Sequence, residues 1–406
     1  MKKYDDKCAK LLCFCVVSIL SVHTTLGDGY RNPPPTAEGI GKSGVNSVWV
    51  DDASAISYNP ANLAMQTNAS LVVGLTMART ETTYTPPGLP ASFESDGDWN
   101  YLPNLYYAQP IAEGITLGLG ITTPYGQGIA WNASDFAPTV GLTNSPVVSY
   151  EASAMVVDIT PSVGIKLNDN LSFGVGLDIY YSQLELKTLI DSALVMRPPG
   201  TVLDTKGEGD DWGFGANAGL TWLPTEKQRV TLTVKSGVEL DYDGDFEVDG
   251  VNTGEFKADL KLPNIVGIGY GVELGKSVQV EALLEWLQWS ANDSQTVTTG
   301  PTTTPFVNNW DDTFTFGLGG SWFATDSLIV RAGYAYLPSP IPDDTISPLL
   351  PDSDRQAISV GLGYALGRHI FDVAYTFSIY SDRSNTPSGT YDIDSNLIGM
   401  TYSASF

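Results

Sequence analysis

The sequence predicts an all-β chain, a fourteen-stranded antiparallel transmembrane β-barrel, on three observations. Apolar residues recur at every second position through most of the chain. The connections between those stretches alternate in length. Beyond the first residues, no run approaches the roughly 18 consecutive apolar residues that a membrane-spanning helix needs.

Period two is clearest where Phe173, Val175, Leu177, Ile179 and Tyr181 alternate with Ser172, Gly174, Gly176, Asp178 and Tyr180. Helical spacing would scatter those apolar residues around a cylinder; a pleated strand gathers them on one face. Phe371 to Ile379 and Ile398 to Phe406 repeat the pattern. Fourteen such stretches fall near 70–80, 100–109, 114–124, 153–167, 170–188, 211–223, 228–242, 258–273, 276–290, 311–323, 327–337, 355–366, 368–381 and 392–406. Short turns such as 167–170, 275–276, 324–326 and 367–368 follow every second stretch. Longer loops, near 81–99, 125–152, 189–210, 243–257, 291–310, 338–354 and 382–391, follow the others. Sorting of this kind belongs to a barrel with a short-turn side facing the periplasm and a long-loop side facing out. Both termini then fall on the periplasmic side. An open sheet would leave two unpaired edges in lipid, at several kcal/mol per group, so the wall must close. Tyr106, Tyr107, Tyr180, Tyr181, Trp286, Trp289, Trp310, Trp322, Tyr334 and Tyr336 are expected to supply the interfacial aromatic girdles.

Residues 1–27 have the form of an export signal: Lys2, Lys3, Lys7 and Lys10 precede the apolar run from Leu11 to Val22, with small residues up to Gly27. Cys8, Cys13 and Cys15 all lie in that segment, so the remainder carries no disulfide and no cysteine metal site. The formal charge of −25 becomes −27 once those four lysines and two aspartates are removed. Such an acidic chain makes nucleic acid an improbable partner, because phosphate contacts demand Lys and Arg. Only His369 then remains of the two histidines, which starves acid–base and metal chemistry, and no enzyme activity or cofactor is expected. A lipid hydrolase based on His369 is a further reading, disfavoured because that residue sits in a short periplasmic turn. The string Gly39 to Ser43 lacks the leading Gly and strand of a phosphate loop. The run Asp241 to Asp249 has Phe246 and Asn252 where a calcium loop wants Gly and Glu.

Between the signal and the first strand, residues 28–69 are rich in turn formers, and Trp49 to Met65 breaks the alternation. Pro60 cannot donate to a ladder, and Asp51, Asp52, Ser54, Ser57 and Asn59 satisfy backbone locally. One helical turn is expected near Val45 to Val50. Attached to the periplasmic end of a closed wall, this segment either hangs below it or folds up inside. Residues 70–406 form the wall.

Several stretches in order resemble the outer-membrane long-chain fatty acid and hydrophobic compound transporter family (FadL/TodX type, OmpP1-like). They are Asp51-Asp52-Ala53 with Asn59-Pro60-Ala61, Asp211 to Gly215, Leu262-Pro263, Glu285-Trp286 with Trp289-Ser290, and Arg331 to Tyr336 running on to Ser339 to Asp343 and Leu350 to Arg355. The resemblance implies a fourteen-stranded barrel with residues 28–69 as a hatch inside the lumen. It implies passive uptake of hydrophobic compounds, foremost long-chain fatty acids, into an apolar lumen. Release is sideways, through a wall gap at a kink in the third strand. Asn59, Pro60 and Ala61 become the gate element, and Gly118, Gly120, Thr123 and Pro124 the lateral-opening strand, opposite that gate. Glycine and proline there can supply a kink on physical grounds too.

For a carboxylate head group an inward cation would help. Alternation turns Lys235 and Arg331 inward, and Lys187 too if a bulge follows Ser182. Gln183 falls where relatives carry an arginine, which leaves neutral hydrocarbons open. A monomer in contact with outer-membrane lipid and lipopolysaccharide is expected. The alternatives are a hydrocarbon channel of the same fold and a general diffusion porin.

Overall fold

The computed structural model describes residues 28–88, 91–140, 147–195 and 201–406; the expected export signal with its cysteines lies outside them. Fourteen wall strands follow one another in chain order, each antiparallel to the next. They are β1 Ser70–Thr85, β2 Trp99–Ala112, β3 Ile115–Ala130, β4 Val147–Asn168, β5 Leu171–Asp191 and β6 Val202–Thr225. Next come β7 (Gln228–Lys235, then Val238–Val248), β8 (Val251–Leu262, then Ile265–Leu274), β9 (Val278–Leu287, then Ser294–Thr299) and β10 (Thr302–Val307, then Thr313–Phe323). The last are β11 Leu328–Leu337, β12 Arg355–Leu366, β13 His369–Tyr380 and β14 Gly389–Ser405. β14 pairs with β1 from Ser70↔Ser405 to Thr85↔Thr390, so the sheet closes without an edge.

Alternation sorts the faces as expected. Phe173, Val175 and Leu177 are exposed on the outside, as are Ile358, Val360, Leu362 and Phe371, Val373, Phe377, while Ser172, Asp178, Ser359 and Asp372 are buried inside. An outward apolar band meets lipid, where burial is worth roughly 25 cal/mol per Å².

Three predicted loops are strand instead. Residues 243–257 continue β7 and β8 around a turn at Asp249 and Gly250, both with positive φ, so the acidic run is ladder and not an ion-binding loop. Residues 202–210 and most of 291–310 likewise extend the wall beyond the apolar band. The predicted aromatic girdles divide. Trp322 and Tyr107 are exposed outside, whereas Trp289, Trp310, Tyr106 and Tyr180 are buried inside.

Residues 28–69 lie inside the wall, toward the short-turn end. They form helix α1 (Ala37–Gly41), helix α2 (Ala55–Tyr58) and a 3-10 turn over Pro60–Met65; where a helical turn is expected at Val45 to Val50, the chain makes a turn over 47–49 without forming a helix. Thr36 caps α1 by accepting from the Gly39 amide at 3.1 Å, and Asn59 caps the 3-10 turn by accepting from the Ala61 amide at 3.1 Å. Pro60 stands at the first position of that turn, where its missing N–H costs nothing.

Candidate functional site

The lumen divides into two halves. In the half nearer the short turns, ion pairs and hydrogen bonds fasten the N-terminal segment to the wall. Lys42 Nζ, fully buried, lies 2.7 Å from Glu281 of β9 and 3.0 Å from Glu38, and Glu281 also accepts from the Val48 amide at 3.0 Å. Arg331 of β11 pairs with Asp372 of β13 and reaches Glu38 at 3.5 Å. Burial by itself would raise the Glu38 carboxyl, but Lys42 and Arg331 overcome it and hold it below the ordinary value. Burial would lower Lys42, yet Glu281 and Glu38 lift it, so both stay charged. Arg331 does face the lumen, but it is occupied by these carboxylates and borders the segment.

Asn59, Pro60 and Ala61 dock on β4, β5 and β6. Asn59 donates to Thr221 at 2.8 Å and to the Ser47 carbonyl at 3.1 Å. A Cβ at Gly174 would overlap Pro60 and one at Gly219 would overlap Asn59, so two glycines on neighbouring strands make the close approach possible. The predicted gate and the predicted lateral strand therefore do not face one another. Ile56 and Leu63 are what lie against Gly118 and Gly120. Thr123 and Pro124 meet the start of the segment: Asn32 donates from its amide to the Pro124 carbonyl at 3.0 Å and from its side chain to the Thr123 carbonyl at 2.9 Å.

At Thr123 and Pro124 the wall changes. Pairing of β2 with β3 stops at Leu105↔Ile121. Between Thr122↔Asp158 and Tyr125↔Val156, β3 carries one residue more than β4, a bulge that Pro accommodates because it has no N–H to lose. Beyond it, β3 bends inward and pairs with Tyr30 to Asn32 through the Arg31↔Tyr125 bridge. Leu102, Ile121, Met155 and Val157 pack together across the place where the ladder has ended.

The half nearer the long loops is apolar. Tyr30, Trp289 and Trp310 pack with centroids 5.0–5.9 Å apart. Around them gather Tyr125, Tyr180, Val238, Leu240, Tyr242, Phe256, Leu287 and Ile341. Pairs of this kind add about 0.5–1.5 kcal/mol each beyond the area they bury. Between the two halves is a cavity of about 160 Å³, bordered by Pro33 to Pro35, Thr123, Tyr125, Lys235, Thr315 and Arg355.

Lys235 lines that cavity as alternation predicts, but it is engaged by Asp158 at 3.1 Å and Asp178 at 3.6 Å and lies 5.4 Å over the Tyr180 ring. Lys187 is a correction. The β5–β6 register runs unbroken from Ser182↔Asp211 to Lys187↔Lys206, so no bulge turns it inward. It stays on the outer face, 2.8 Å from Glu151 and 3.3 Å from Glu185. Gln183 shares that face, donating to the Tyr181 hydroxyl at 3.1 Å. Sequence reasoning missed Arg31, whose Nη1 donates to Glu285 Oε2 at 2.8 Å and anchors the segment to β9 beside the bulge. No periodicity marks a residue in an irregular segment.

A lipid-facing closed wall around a plugged lumen, apolar in one half, defines an outer-membrane transport barrel. The chain belongs to the family described as outer membrane protein transport protein (OMPP1/FadL/TodX), which matches residues 23–406. The Long-chain fatty acid transport protein of Escherichia coli K12 is 22% identical, over 93% of this chain and 94% of its own length. Outer membrane protein P1 of Haemophilus influenzae is 22% identical over 75% of each. Among solved structures, a Pseudomonas aeruginosa FadL homologue superposes with a TM-score of 0.78 at 20% identity, covering 93% of this chain and 99% of that one. The Pseudomonas putida toluene transporter TodX gives 0.75 at 17%, again over 93% and 99%. The chain is thus a bacterial outer-membrane transporter of a family that takes up fatty acids or hydrocarbons.

Proposed function

We propose that the protein carries hydrophobic compounds passively across the outer membrane, long-chain fatty acids foremost, and releases them sideways through the wall beside β3. The carrying observation is that β2–β3 pairing stops beside the luminal apolar cluster, with side chains and no ladder closing the space. An acyl chain gains roughly 0.8 kcal/mol per buried CH2, so a greasy lumen binds it, and a lateral exit spares it a return through water. Residues 28–69 act as a hatch that blocks the axial route, and the short turns and both termini face the periplasm. The gate comprises the Thr123–Pro124 bulge with Tyr30 to Asn32. Gly118 and Gly120 seat the hatch, and Asn59 to Ala61 anchor it. The polar contacts filling the lower lumen disfavour a general diffusion porin.

Deletion of Pro124 removes the extra residue and lets β3 run in register with β4. In cells carrying that variant, uptake of labelled palmitate is expected to fall to the level of cells lacking the protein. Undiminished uptake would sink lateral release.

A further inference from the structure

An anionic head group needs a cation that is not already neutralised, and the three cations lining the central cavity differ in this. Arg31 has Glu285 at 2.8 Å and Asp28 at 3.6 Å. Lys235 has Asp158 and Asp178. Arg355, the first residue of β12 and 7% exposed, forms no ion pair with a carboxylate among the described residues. It hydrogen-bonds Tyr380, while its Nε–H has no acceptor. An unused N–H on a buried guanidinium carries the full cost of desolvation with no bond to offset it.

Other unused polar atoms border the same cavity. Thr315 Oγ1 and Thr123 Oγ1 are buried without hydrogen-bond partners, and both carboxylate oxygens of Asp28 likewise accept no hydrogen bond, Arg31 lying 3.6 Å away as an ion pair. Hydroxyls can donate to an incoming carboxylate. Asp28 is no fixed counter-ion, since burial pushes its carboxyl up to about 7 even though Arg31 and Arg355 pull it down. Half protonated near neutrality, it can itself donate. The volume of about 160 Å³ matches the roughly 150 Å³ that holds a benzene, enough for a carboxylate and the first carbons of a chain. Tyr125 and Ile265 border both this cavity and the apolar cluster, so the rest of the chain has a greasy continuation.

We propose that Arg355, with Thr315 and Thr123, is the head-group site of this lumen, and that it selects single-chain amphiphiles ending in a carboxylate over neutral hydrocarbons. The inference rests on the uptake function proposed above and names its substrate class. It also moves the head-group role from Lys187, Lys235 and Arg331 to a residue whose motif, Leu350 to Arg355, had no assigned task.

The test measures binding of hexadecanoic acid and of hexadecanol, equal in chain and different in head, to the full-length protein in a non-ionic detergent. The ratio of the two affinities is the readout. Arg355→Gln is expected to lower the acid-to-alcohol ratio roughly 10- to 100-fold, the worth of a hydrogen bond to a charged group, and Arg355→Lys is expected to restore part of it. Thr315→Val, which keeps the charge and serves if Arg355→Gln does not fold, is expected to lower the ratio a few-fold. Heat-modifiable migration checks that each barrel is closed. An unchanged ratio in Arg355→Gln, or in Thr315→Val where that variant alone folds, overturns the site while leaving uptake intact. Failure of the parent protein to bind either ligand overturns the uptake function and the site with it.

Discussion

The two halves of the lumen are built from opposite materials. Around residues 28–69, directional ties fasten the segment beside its apolar contacts at Ile40, Ile56 and Leu63: Lys42 to Glu281, Arg331 to Glu38, Asn59 to Thr221, the 3-10 turn into its glycine seat. Around Trp289 and Leu240, contact is dispersive and tolerant of rearrangement. A buried ion pair has essentially one good geometry, whereas aromatic and aliphatic side chains repack at modest cost. The difference teaches where motion is affordable. On the proposed uptake route, ligand enters the half that can rearrange, and the half that cannot blocks the axial path.

The sharpest way to break this contrast is at Lys42. Lys42→Met leaves Glu281 buried and unpaired, and should cost about 3–5 kcal/mol in urea unfolding of the barrel in micelles. Adding Glu281→Leu should recover much of it; a double variant as unstable as the single would show that the ion pair is not the fastening. Between the halves, Asp28 is 1% exposed with a carboxyl raised above its unfolded value of 3.8 to about 7. Its raised value means that folding favours the protonated form. That stability is present in full below pH 3.8 and is lost as pH rises through about 7, with Arg31, Arg355, Glu285 and Asp352 the charges facing it. Asp28→Asn should therefore raise the unfolding free energy at pH 8.5, by up to about 4 kcal/mol, and leave it unchanged at pH 3.5. A gain that is equal at both pH values would exclude this linkage. In the apolar half, Leu240→Ala should cost about 2–3 kcal/mol, the low end for a buried leucine, because its neighbours can collapse into the space. A loss near 5 kcal/mol would show that this half is packed as rigidly as the other.

Much of this was legible in the sequence because lipid and lumen impose a period of two, and Phe173 or Val360 cannot be placed on the wrong face without cost. Loop lengths revealed the closed wall for a similar reason, since the two rims differ in what they may carry. The extensions at 243–257 and 291–310 hid because above the apolar band the outward face carries Asp, Glu, Lys and Thr, and the greasy outer stripe that marks a wall strand is gone. Helices α1 and α2 hid because four or five residues hold too little periodicity to register. Trp289 and Trp310 read as girdle residues because an aromatic near a strand end looks the same in sequence whether it points to lipid or lumen. Lys187 depended on a bulge that only register can reveal. Arg355 was within reach, since Ala357, Ser359 and Gly361 place its parity inside, but its lack of a counter-ion is a fact of three dimensions.

The seam between β1 and β14 carries a consequence for assembly. It joins the first and last strands of the chain, and its short-turn end is tied where Phe406 donates to the carbonyl of Ala69, the residue at which the hatch leaves the wall. The zipped wall surrounds a folded segment whose charges reach β9 and β11. The hatch must therefore be in place while the sheet is still an open trough, and the final strand then closes behind it as a door closes on a packed room.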